Sequence, residues 1–208
     1  MLGIKHIHRR ALTAGLGATA LAGALALSLG LSAASAAPAG GARPSPPFSF
    51  RLVPSPNIAR CLPHAGGQVT IIPGRLNDVM RVSIHGMPRN SDFDLFVIQM
   101  PLKPFGVSWY QSDVDAGRLG SGSATVQGVL DRETFSVSPG GTTTFAPTHQ
   151  FHLGLWFNNP VTPFRLGCEP GAKKPIVTPF NGVQHAGVQV LNTSQFPVNA
   201  GPLSRVHR

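Results

Sequence analysis

The chain has 208 residues, seventeen Lys and Arg against eight Asp and Glu, a formal charge of +9, and only two cysteines. Beyond the first 36 residues its arginines are scattered singly, with Lys173-Lys174 as an adjacent basic pair, so the charge forms no stripe of the kind that grips nucleic acid. It instead favours anionic surfaces in a general way. No composition signal points to a cofactor.

The first 36 residues read as an export signal. Lys5, Arg9 and Arg10 make a basic head, residues 11–36 carry no charge, and Ala34-Ser35-Ala36 supplies a small-x-small ending. Cleavage is expected after Ala36, which places the remainder outside the cytoplasm. A retained transmembrane anchor is the competing expectation, since the uncharged stretch is long enough to span a bilayer. The abundant Gly, Ala and Ser and the lack of basic residues just after it favour cleavage. The Arg9-Arg10 pair leaves twin-arginine export open beside the general route. After cleavage fourteen basic and eight acidic side chains remain, a balance of +6.

Residues 37–47, APAGGARPSPP, are a Pro/Gly/Ala-rich spacer. The rest of the chain, 48–208, has the size of one domain. Short runs rich in Val, Ile, Phe and Thr then succeed one another between turn residues, the signature of strands. The first is GQVTIIP at 67–73. DVMRVSIHG comes next, with Met80, Val82 and Ile84 on one face and Arg81, Ser83 and His85 on the other.

The turn MPRNS leads into DFDLFVIQM. Here Phe93, Leu95 and Val97 share one face while Phe96 and Ile98 make the opposite face apolar as well, which predicts a central strand buried on both sides. Asp94 is expected to face Arg81 or Ser83 across a ladder, and Asp92 to settle the turn.

Further strands are expected in FGVSWYQ (105–111), SATVQGVLD (123–131), TFSVS (134–138), HQFHLGLWF (149–157) and HAGVQVLN (185–192), with GTTTFAP following TFSVS. No apolar stripe of helical period lasts three turns. The architecture predicted is all-β, an antiparallel β-sandwich of immunoglobulin-like or jelly-roll-like type, with a closed β-barrel as the second choice. Cys61 and Cys168, alone in an exported chain, are expected to form a disulfide.

Residues 81–129, RVSIHGMPRNSDFDLFVIQMPLKPFGVSWYQSDVDAGRLGSGSATVQGV, resemble the strand, Gly-x-Pro turn, strand, Asp/Gly loop, strand unit of exported bacterial β-sandwich modules of immunoglobulin-like or adhesin-like type. HLGLWFNNP and VTPFNGVQHAGVQVLNT are similar to uncharacterised exported bacterial proteins that share the unit. The resemblance implies a fold and a compartment but no activity.

Candidate chemistry is sparse. Asp113 and Asp115 lie in QSDVDAGRLGSGS, read as a Gly-rich hairpin loop, which lacks the Gly and Glu that a helical-hand calcium loop needs at its sixth and twelfth positions. His149 and His152 are three apart, which sends them to opposite faces of a strand, and no metal site is expected. Gly120-Ser121-Gly122-Ser123-Ala124 lacks the last glycine and the following helix of a nucleophile elbow. Trp109 and Tyr110 point opposite ways on a strand, so one ring is free to show itself to a sugar or a partner. Asn158 and Asn159 near Trp156 suit a turn or polar sugar contacts.

The function expected is a secreted, non-catalytic protein acting by surface recognition or as a structural module at the cell envelope. Its candidate binding residues are Trp109, Tyr110, Asp113, Asp115, Trp156 and Asn158. Its candidate partners are a polysaccharide, an anionic wall polymer or another surface protein. The alternatives are a glycan-acting hydrolase using two of Asp92, Asp94, Asp113 and Asp115, and a calcium-stabilised structural module.

Overall fold

A computed structural model describes residues 43–130, 149–179 and 185–207. The expected export signal, most of the spacer, and the strands expected at TFSVS and GTTTFAP lie outside the described residues. Among the described residues no helix is long and apolar enough to cross a membrane.

The chain forms β1 (Phe48–Pro54), α1 (Ile58–Cys61), β2 (Gly66–Ile72), β3 (Asp78–His85), β4 (Ser91–Ile98), β5 (Ser108–Ala116) and β6 (Gly122–Gly128). Then come β7 (His152–Phe157), α2 (Val161–Arg165), β8 (Thr178–Pro179), β9 (His185–Ala186), β10 (Gln189–Asn192) and a closing 3₁₀ turn at Pro202–Arg205. Eight strands join antiparallel in the order β5-β4-β7-β10-β1-β2-β3-β6, a sheet that is nearly closed and barrel-like, while β8 and β9 pair separately. The all-β expectation holds, with the nearly closed barrel rather than two separate sheets.

β1, not anticipated from the sequence, makes the sheet continuous. Its residues 48–52 pair with β2, and Val53 and Pro54 pair with Asn192 and Leu191 of β10. Its alternation is plain in retrospect, with Phe48, Phe50 and Leu52 buried between exposed Ser49 and Arg51. The expected strand at 105–111 is displaced. β5 runs from 108 to 116, so Asp113 and Asp115 stand in a strand and not in a loop.

The two connections at 86–90 and 117–121 lie side by side, with the Met87 N–H bonded to the Gly120 carbonyl and the Asn90 N–H to the Gly117 carbonyl. β3–β4 and β6–β5 are therefore the two strands of one long antiparallel ribbon that runs from the Asp78–Gly128 pair to the Ile98–Ser108 pair, folded at this corner into two arms, β3/β6 and β4/β5. The bend requires left-handed backbone at Gly86, Asn90 and Gly120. One arm lies in each half of the sheet, which is why β3 and β4 do not pair.

The interior is filled by alternate residues of the strands. Val69, Ile71, Met80, Val82, Ile84, Phe93, Leu95, Leu155 and Leu191 are among those buried there. β4 is buried on both faces as predicted. Phe93, Leu95 and Val97 face the main core, and Phe96 and Ile98 join Trp156 and Ala186 in a second cluster on the outer side. Cys61 and Cys168 form a disulfide that ties the end of α1 to the segment after α2 across 107 positions of sequence. Near the chain ends the Ser45 N–H bonds to the His207 carbonyl and the His207 N–H to the Ser45 hydroxyl.

Candidate functional site

The outer side of β4 carries the most unusual chemistry. Alternation puts Asp92, Asp94, Phe96 and Ile98 on this face, and the register sets Asp92 opposite Asp115 and Asp94 opposite Asp113 on β5. Asp94 therefore does not meet Arg81 or Ser83. Its neighbours across the ladders are Asp113 on one side and Trp156 of β7 on the other. Arg81 stands on β3, opposite Thr70 and Thr125.

Like charges directly opposite each other destabilise a ladder, and here hydrogen bonds offset part of the conflict while burial makes Asp94 harder to ionise. Asn158 donates from Nδ2 to Asp94 Oδ1 at 3.1 Å, and the Tyr110 hydroxyl donates to Asp113 Oδ1 at 2.9 Å. Asp94 itself is buried to 1 % exposure. Loss of water raises its pKa to about 6, with the Asn158 bond opposing the rise and a hydrogen bond and negative charge from Asp113 adding to it. Burial, then the Asp113 bond and the surrounding carboxylates, push Tyr110 up to about 12. The result is a row of four side chains in which Tyr110 bonds Asp113, Asn158 bonds Asp94, and the two acids face each other across the ladder.

This row borders a cleft of about 650 Å³ lined by Asp94, Phe96, Phe105, Trp109, Tyr110 and Pro179, among others. Trp109 and Tyr110 are each 46 % exposed, so both rings are accessible, where the sequence offered only one of them to solvent. A register shift between Leu95 and Phe96 brings Tyr110 opposite Phe96, against whose ring it packs edge-on at 5.7 Å between centroids.

Trp156 proves to be a support and not a surface ring. It is fully buried, edge-on to Phe96 at 5.4 Å and to Phe105 at 5.0 Å. Its ring lies over Gly154, where a Cβ would collide with it, so the glycine of HLGLWF is what lets the indole lie flat under the cleft. Asn158 bonds Asp94, while the Asn159 side chain caps a turn through the Val161 N–H at 2.9 Å.

Five of the six predicted binding residues thus belong to or support one region: Trp109, Tyr110, Asp113, Trp156 and Asn158. Asp115 lies farther along the ladder, opposite Asp92. Sequence reasoning gave Asp94 an ordinary pairing role and did not single out Phe105. The signal for Asp94 was its place in alternation with Phe96 and Ile98 on an apolar face.

His152, a residue considered for metal binding, is occupied structurally. Its Nε2 lies 3.1 and 2.9 Å from the Pro197 and Val198 carbonyls, so that nitrogen carries the proton, and Nδ1 accepts from the Thr193 hydroxyl at 2.9 Å. Burial lowers its pKa and keeps the ring neutral. Among the described residues no group of three His, Cys, Asp or Glu side chains is arranged to hold a metal.

No protein-family model matches the chain, and a search of curated proteins finds no match either.

Proposed function

We propose that this is a secreted, non-catalytic recognition protein of the cell envelope whose outer cleft binds a neutral polysaccharide. The observation that carries the reading is the pair of half-exposed rings, Trp109 and Tyr110, on a cleft that Asp94 also lines, with Asp113 opposite it on the ladder. Aromatic faces take the C–H face of a sugar, and carboxyl oxygens accept from its hydroxyls. Asp92, Asp94, Asp113 and Asp115 share this side of the ladder, and their field opposes an anionic wall polymer.

Burial argues against the hydrolase reading of Asp94. The residue is 1 % exposed and its Oδ1 accepts from Asn158, whereas a glycosidase needs two carboxyls that both reach the scissile bond.

The test is retention of the purified protein on insoluble envelope polysaccharide. Trp109→Ala is expected to weaken retention roughly tenfold, the worth of one good stacking contact, and Tyr110→Phe to weaken it less, since the ring remains. Equal retention of wild type and Trp109→Ala would sink the reading. Release of reducing sugar by the wild type, abolished in Asp94→Asn, would replace it with the hydrolase.

A further inference from the structure

Behind Phe105 lies a second, smaller cavity of about 220 Å³, which shares Phe105 and Thr178 with the outer cleft but has different chemistry. Ile58, Phe105, Ile176 and Val188 give it apolar walls, and Lys103 and Glu169 also line it. Glu169 is 5 % exposed. Its Oε2 accepts the Ile176 N–H at 2.9 Å, while Oε1 makes no hydrogen bond among the described residues. The polar groups nearby are committed to one another: Ser55 donates to Gln189 Oε1, Asn192 donates to both, and Gln189 donates to the Pro101 carbonyl.

A buried carboxyl oxygen lacking a donor is costly, and a structural role needs only the Ile176 bond. That bond fastens one oxygen, and the soft terminal torsion of a glutamate lets the other turn toward an occupant of the cavity. Burial raises the Glu169 pKa, so the site gains most from an occupant that brings its own positive charge and returns the carboxyl to its ionised form. Lys103 is exposed, and its stem adds apolar surface to the lining.

We infer that this cavity is a binding site for a small primary amine on a short apolar body, with the ammonium on Glu169 and the alkyl part against Ile58, Phe105 and Val188. The inference is independent of the polysaccharide reading, since the outer-cleft acids take no part in it.

The probes are n-butylamine, n-butanol and n-butyrate, titrated into the folded protein while backbone amide resonances are followed. The amine should shift the Ile176 and Val188 amides and bind roughly tenfold more tightly than the alcohol, the worth of a charge-assisted hydrogen bond. Butyrate should not bind. Glu169→Gln, which keeps an acceptor for the Ile176 N–H, should bring amine and alcohol to equal affinity. Ile176→Phe, which fills the cavity from a part-exposed loop, should abolish binding of both, and it serves as the test should Glu169→Gln not fold. Amine affinity no greater than that of the alcohol, or amine binding unchanged in either variant, would overturn the proposal.

Discussion

Burial beside Asp113 raises Asp94 from 3.8 to about 6, so the folded chain holds that proton more tightly than the unfolded chain does. The contribution to stability is therefore fully present below 3.8 and is lost as pH rises through about 6. Asp94→Asn should remove this slope, because an amide keeps the size and the acceptor for Asn158 without titrating. In thermal melts across that window the variant should fall off less with rising pH than the wild type, and by neutral pH it should melt about 4 °C higher. Parallel profiles for the two proteins would show that Asp94 is not held protonated. The partners of this residue were not legible in the sequence, because Arg81 is near it along the chain and in the other half of the sheet in space. Its apolar neighbours were legible, since period-two alternation is a local property.

At the scale of elements, the long folded ribbon organises the molecule, and its corner is where backbone chemistry leaves least choice. Gly86 combines a φ of +67° with close approach to the His64 carbonyl, which an added Cβ would meet. Gly86→Ala is therefore expected to cost roughly 2 kcal/mol in urea unfolding. Gly117→Ala, a few residues away across the same corner, has only the Ser121 carbonyl at 3.8 Å from its Cβ and is expected to stay within about 0.5 kcal/mol of wild type. Similar losses at both positions would mean that the left-handed backbone and close approach at Gly86 do not set the cost. The runs at 67–73, 78–86 and 92–100 match β2, β3 and β4 to within two residues at each end, and the run at 123–131 overlaps β6, which ends at Gly128. β1 was passed over beside a Pro-rich spacer, and β5 was set too early because Asp113 and Asp115, poor strand formers near glycines, looked like a loop. In the fold the Tyr110 bond gives Asp113 the company that a propensity scale cannot foresee.

For the whole molecule the strand class was readable from composition and spacing, and the closure was not. Closure depends on β1 changing partners from β2 to β10 and on which strand lies beside β3 in space, both long-range matters. The disulfide belongs to this scale too, since it joins two short helical segments 107 residues apart. By the chain-entropy model the double variant Cys61→Ser, Cys168→Ser should lose roughly 4 to 5 kcal/mol in urea unfolding, less if the unfolded chain retains structure. A loss under about 1 kcal/mol would mean that the unfolded chain already keeps the two segments close, leaving the crosslink little entropy to remove.

The Ser45–His207 contacts bring the two ends of the described chain within hydrogen-bonding distance. The fold is thus close to a ring in connectivity, and a short linker across that gap would free the polypeptide to begin elsewhere, for instance at exposed Leu76 between β2 and β3. In such a circular permutant every ladder would still have its partner strand, since the sheet specifies who pairs with whom and is indifferent to which strand is made first.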